Sequence, residues 1–215
     1  MSGFKLIRKG GTAEITEKKS RFIAHIESVS TEEEATAFIS AKKKEYWDAR
    51  HNCSAFILGE NAELTRCSDD GEPPHTAGRP MLDVLKNAGL TNCVAVVTRY
   101  FGGTLLGTGG LIRAYSEAVS AGLQECVISE PIRARLCDIE IDYSVLGKLN
   151  AILGELSIPD ADIIYAENVM AHLTIPLEMC DNFKNKITEA TSGKTIPEFK
   201  EEVVFIRTED GIEIL

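Results

Sequence analysis

The sequence predicts a mixed α/β chain of the α+β kind in two domains, 1–130 and 131–215. Three observations carry this. The 215 residues leave room for two cores of about 100 residues each. Strand-like and helix-like runs interleave throughout, and the pattern restarts around Pro131. Beyond that point the order is strand, helix, strand, strand, helix, strand, the βαββαβ of a ferredoxin-like domain.

After a flexible start, "SRFIAHIESV" alternates Phe22, Ala24 and Ile26 against Arg21, Ile23 and His25, a strand pattern. "STEEEATAFISAKKKEYW" changes to helical spacing. Ser30 or Thr31 caps it, with Glu32 to Glu34 in the first turn and Lys42 to Lys44 near the end, as the helix dipole favours. "HNCSAFILGENAELTRCSDD" reads as a hairpin turning near Glu60 and Asn61, which sets Cys53 almost opposite Cys67. A polar bend, "SDDGEPPHTAGRP", follows. Pro80 opens the next helix and Gly89 ends it. "NCVAVVTRYF" is a nearly continuous β-branched run, the mark of a central strand covered on both faces. After a glycine-rich loop, Leu111, Tyr115, Ala118 and Gly122 form one helical stripe. In the second domain, "RARLCDIEIDY" is a strand with one wet face, "VLGKLNAILGEL" a helix, and "ADIIYAENVMAHLTIPL" a hairpin turning at Glu167 and Asn168. A helix closed by Gly193 and the strand "EFKEEVVFI" complete it.

Composition bounds the function. Hydrophobic content of 44% and charged content of 26% are those of a folded domain. No run approaches the roughly 20 apolar residues of a membrane helix, and the start lacks a secretory signal core, so a cytoplasmic protein is expected. The six cysteines include no C-x-x-C pair and suit a reducing compartment. The net charge of −10 is uneven: 15 Lys/Arg face 17 Asp/Glu over residues 1–130, but 8 face 16 beyond. Only the first domain has room for a basic surface.

The first candidate site is the loop where five glycines fall within nine residues, Gly102, Gly103, Gly107, Gly109 and Gly110. It is no nucleotide P-loop, because Thr108 stands where the lysine is needed, and G-x-G-x-x-G is absent. What it offers is a run of amides opening a helix, with Arg99 before it and Arg113 in its first turn, an arrangement suited to phosphate. The alternative is a close-packed corner in which Arg113 pairs with Glu117. The second candidate is the bend, where Asp69, Asp70, Glu72 and His75 could hold magnesium or exchange protons, although two prolines would keep the segment extended and the carboxylates apart. The third is Arg50 with His51 at a strand start, and Arg79 beside the bend adds a further cation. No metal site is expected from spacing, and no G-x-S-x-G, H-E-x-x-H or Cys/His nucleophile context appears, so an ordinary hydrolase is hard to build.

"SDDGEPPHTAGRPMLDVL" followed by "NCVAVVTRYFGGTLLGTGGLIRAYSEA" closely resembles the signature of the IMPACT family in its bacterial, YigZ/YvyE-like branch. The likeness covers about residues 20–125, with Arg99, Tyr100, Phe101, Gly102 and Gly103 at its core. The resemblance implies a first domain with the left-handed βαβ fold of a ribosomal-protein domain and of small-molecule kinases. Its kinase-like loop has Gly109 and Gly110 where a serine pair is expected, which argues against phosphotransfer. It also implies a role linked to translation, with nucleic acid or the ribosome as partner. The protein partner of the eukaryotic members is not carried over, because their extra domain has no counterpart here.

The reading that follows is a non-catalytic binding protein without a cofactor. It would present Arg50, His51, Arg79, Arg99, Arg113 and the loop from Gly102 through Thr108 to Gly110 to RNA or ribosomal phosphates. The alternative is a magnesium-dependent enzyme on a nucleotide or phosphorylated metabolite, using Asp69, Asp70 and Glu72 for the metal. A plain protein-interaction scaffold is a third possibility.

Overall fold

The computed structural model describes residues 4–158, 162–208 and 211–215. The chain parts into two units, residues 1–130 and 131–215, with separate hydrophobic cores. The first unit opens with β1 (Leu6–Lys9), β2 (Gly11–Glu17) and β3 (Ser20–Ser28). It continues with α1 (Glu32–Glu45), β4 (His51–Leu58), β5 (Leu64–Ser68) and α2 (Gly78–Asn87). The central strand β6 (Cys93–Tyr100), the helix α3 (Thr108–Gln124) and the short β7 (Val127–Ser129) complete it.

The expected flexible start is corrected. β2 has few apolar side chains, but its main chain pairs with β3 from Gly11 opposite Ile26 to Glu17 opposite Ser20, which suffices for an edge strand. β1 pairs with β7 as a separate two-stranded sheet.

The main sheet runs β2-β3-β6-β4-β5, every neighbour antiparallel. Since β3 and β4 both oppose β6, they are parallel to each other, and α1 carries the chain across β6 between them. The two-residue period sends Cys93, Ala95 and Val97 toward α2 and α3, and Val94 to the other face with Ala35 of α1, Phe56 and Leu58. A strand sandwiched in this way has to be apolar on both sides. Thr31 caps α1 by accepting the Glu34 N–H at 3.1 Å.

In the β4–β5 hairpin the connection takes five residues, 59–63, with Gly59 at φ +85° and Ala62 at φ +56°. That length sets Ala55, not Cys53, opposite Cys67. Cys53 is buried, Cys67 exposed, and both are free thiols.

The second unit contains β8 (Ile132–Ile141), α4 (Tyr143–Glu155), β9 (Asp162–Tyr165) and β10 (Val169–Pro176). A 3-10 turn at Leu177–Met179 leads into α5 (Cys180–Ala190), then β11 (Glu198–Thr208) and β12 (Gly211–Ile214). The sheet order β12-β11-β8-β10-β9 is ferredoxin-like with one added edge strand. Cys137, Ile139 and Ile141 pack on Leu149, Ile152, Phe183 and Ile187. Among the described residues no helix is long and apolar enough to cross a membrane.

Candidate functional site

The site lies where the sheet face under α2 and α3 runs out. His51 of β4 sits opposite Arg99 of β6, which sits opposite Phe22 of β3, so the three form one row across the strands. Arg99 shares its face with Ala95 and Val97, and its side chain is accordingly only 7% exposed. Its Nη1 donates to Glu72 Oε1 at 2.6 Å, and its Nη2 lies 3.4 Å from Ser20 Oγ. The guanidinium carbon stands 5.3 Å from the centre of the Phe22 ring and 5.6 Å from that of Phe101. Tyr115 from α3 donates to the same Glu72 oxygen at 2.8 Å, and Cys53 Sγ lies 3.3 Å from the Tyr115 hydroxyl. Burial pushes the Tyr115 phenol far up and the Cys53 thiol up to about 12, so neither is a nucleophile at neutral pH.

Arg99 and Glu72 therefore differ from their predicted roles. They neutralise each other beneath the site and are not a free phosphate ligand and a free metal ligand. The bend differs as well. It is not extended: Glu72 N–H closes one turn on Asp69 O, Thr76 N–H a second on Pro73 O, and Asp70, Gly71 and His75 adopt positive φ. Asp69 accepts the N–H groups of His75, Ala77 and Gly78 at 2.8, 3.0 and 2.9 Å, capping α2 from nine residues back. Burial raises its carboxyl pKa, but those three donors outweigh it and hold the group below the usual carboxylate range. Asp70 takes Lys43 on one oxygen at 2.6 Å and the Asn52 N–H on the other at 2.7 Å. Among the described residues no group of three His, Cys, Asp or Glu is placed to hold a metal ion.

Above this braced floor opens a pocket of about 440 Å³. Arg50, His51, Gly107 and Thr108, with the paired Glu72 and Arg99, give it polar lining, and Pro73, Phe101, Leu105, Leu106 and Leu111 apolar lining. Arg50 is exposed and has no ion-pair partner among the described residues. His51 Nδ1 lies 2.9 Å from the carbonyl oxygen of Asp70, which requires Nδ1 to hold the proton and leaves Nε2 of the neutral ring as an acceptor. Gly107 at φ +73° turns the chain into α3 without a side-chain cap. The first helical bond runs from Leu111 N–H to Gly107 O, so the amides of Thr108, Gly109 and Gly110 have no acceptor within the helix. A Cβ at Gly107 or Gly109 would meet nothing within 4 Å, whereas one at Gly110 would come within 3.0 Å of Leu106 Cβ, so the open space lies at the first two glycines.

The other predicted residues fall outside the pocket. The Gly102 N–H donates to Ser20 Oγ at 3.1 Å, and a Cβ there would come within 2.0 Å of the Lys19 main chain, so this glycine is a packing requirement. Gly103 serves a turn at φ +85°. Arg79 pairs with Asp83 one helical turn on. Arg113 is exposed on the second turn of α3, not the first, and, among the described residues, forms no pair with Glu117. His75 is exposed in the bend. Sequence reasoning missed Phe101 and Leu105, which are 50% and 83% exposed beside the pocket. The available signal was two large apolar side chains within a polar, glycine-rich loop.

This floor, loop and helix lie within residues 18–123, which match the Impact N-terminal domain, while residues 139–194 match a domain of unknown function (DUF1949). The chain belongs to the IMPACT family, in its bacterial branch. It is 46% identical over 189 residues to the IMPACT family member YvyE of Bacillus subtilis (strain 168), spanning 88% of this chain and 87% of that one. It is 34% identical to the IMPACT family member YigZ of Escherichia coli (strain K12), spanning 82% and 87%. A crystal structure described as that of a hypothetical protein superposes with a TM-score of 0.57 at 32% identity, covering 94% of this chain and 98% of the other.

Proposed function

We propose that the protein is a non-catalytic binder of RNA, free or within the ribosome, acting in a translation-linked regulatory role, and that it grips phosphate in the pocket at the start of α3. The observation that carries this is the start of α3, where the Thr108, Gly109 and Gly110 amides have no helical acceptor, Gly107 and Thr108 line the pocket, and Arg50 lines it too without an ion-pair partner among the described residues. Helix dipole, N–H donors and guanidinium converge there on one anion. Arg113, on the adjacent helical turn, extends the positive surface. The link to translation rests on the family resemblance. Binding is favoured over magnesium-dependent catalysis because Asp69, Asp70 and Glu72 are already engaged by N–H donors and cations.

The test is titration with short single-stranded RNA between low and physiological salt. Affinity should fall with a log–log slope of about −0.7 for each phosphate neutralised. Replacing Arg50 and Arg113 together by alanine should weaken binding and flatten that slope. Absence of binding, or binding indifferent to both substitutions, overturns the proposal. A stabilising shift with a nucleotide only when magnesium is present would favour the enzymatic reading.

A further inference from the structure

We propose that the pocket accepts one unpaired nucleotide, its base stacked on Phe101 while its phosphate sits at the start of α3. This rests on the phosphate-binding reading above and adds what the rest of the occupant must be.

The volume of about 440 Å³ exceeds what an oxyanion needs and falls in the range of small-molecule sites. Its lining is mixed. Arg50, Gly107 and Thr108 supply a cation and main-chain polar groups, whereas Phe101, Leu105 and Leu106 present a surface no phosphate would favour. An occupant that is anionic at one end and flat and apolar at the other satisfies both.

Phe101 is held for such a contact. One face of its ring rests on the Arg99 guanidinium, at 5.6 Å. Arg99 is itself held by Glu72 and by the Phe22 ring, 5.3 Å away. Half of Phe101 is nonetheless exposed, and it lines the cavity. An aromatic ring fixed by a buried cation and left open on one side is a pre-organised stacking surface, with little ordering left to be done on binding. A base within a duplex cannot offer its face to a side chain, whereas a splayed base can. The proposal is therefore specific to single strands.

Three ligands test it on the full chain: hexauridylate, a ribose-phosphate chain of the same length without bases, and a blunt RNA duplex. Hexauridylate should bind best. The F101A variant should weaken it by about 5- to 150-fold, the range of one base–aromatic stack, and leave the abasic chain nearly unaffected. F101L, which keeps apolar bulk without a π face, should behave like F101A. F101W in a W47F background should retain affinity, with indole emission quenched on binding; the second change removes the exposed Trp47. Equal affinity for abasic and base-bearing chains, a preference for the duplex, or wild-type affinity in F101L overturns the stacking proposal and leaves the phosphate grip standing. Failure of every ligand to bind overturns both.

Discussion

Arg99 lies two positions beyond Val97 on β6, and the pleat therefore turns it inward beneath α3. Its charge is tolerable there only because Glu72 meets it at 2.6 Å. Removing one partner of a buried pair strands the other charge and costs about 3–5 kcal/mol. Glu72→Ala should thus destabilise the first unit by about that amount in urea titration, with the second unit's transition unmoved. His25 makes a different prediction. Burial, reinforced by the nearby Lys42 and opposed by Glu45, holds its imidazole below the ordinary 6.5. Nδ1 has Thr12 Oγ1 at 3.0 Å, and the buried Nε2 has no partner among the described residues. Between the two values the unfolded chain binds more protons, so stability is complete above about 6.5 and declines as pH falls below it. Urea midpoints measured from pH 7.5 to 5.5 should fall for the wild-type chain and stay flatter for H25Q. At this scale the sequence named the right arginine for the wrong role. The alternation that buries Arg99 is legible, and so is the bend at Asp70 and Gly71, but that two successive turns bring Glu72 to Arg99 from 27 residues away is fixed by tertiary packing and not by local pattern.

The elements that frame the site are unevenly legible in the sequence, for physical reasons. α1, α3 and the centrality of β6 follow from periodicity and caps, which are local. β1, β2, β7 and β12 have short or weak apolar patterns and exist because a neighbour supplies hydrogen bonds, which is not. The loop after β6 is glycine-rich, yet its glycines differ in task. Gly102 has to be side-chain-free against the Lys19 main chain, so Gly102→Ala should cost about 1–3 kcal/mol through overpacking. Gly109 faces open space, so Gly109→Ala should change melting temperature far less while hindering anions at the amides. Differential scanning calorimetry beside phosphate titration separates the two. Gly102→Ala as the milder change would refute the assignment.

Over the whole chain, acidity and site are segregated: the second unit has 16 Asp/Glu against 8 Lys/Arg, and the groups lining the pocket all belong to the first. The two cores share no residue. Leu149→Ala, which empties part of the second core, should cost about 2–5 kcal/mol in that unit alone and leave RNA affinity intact. Unfolding followed by tryptophan emission for the first unit, which holds the single Trp47, and by far-UV circular dichroism for both will show whether the loss is confined. The pairing of β1 with β7 has one more result. Leu6 meets Ser129 and Ile7 meets Ile128, so β1 finds its ladder partner only after almost everything between has been made, Lys5 alone being tied earlier, to Gly89 and Thr91. During synthesis the unit stays unlatched until that late segment clears the exit tunnel, and a nascent chain arrested before it holds Ile7, a core side chain, on a strand with nothing to zip against.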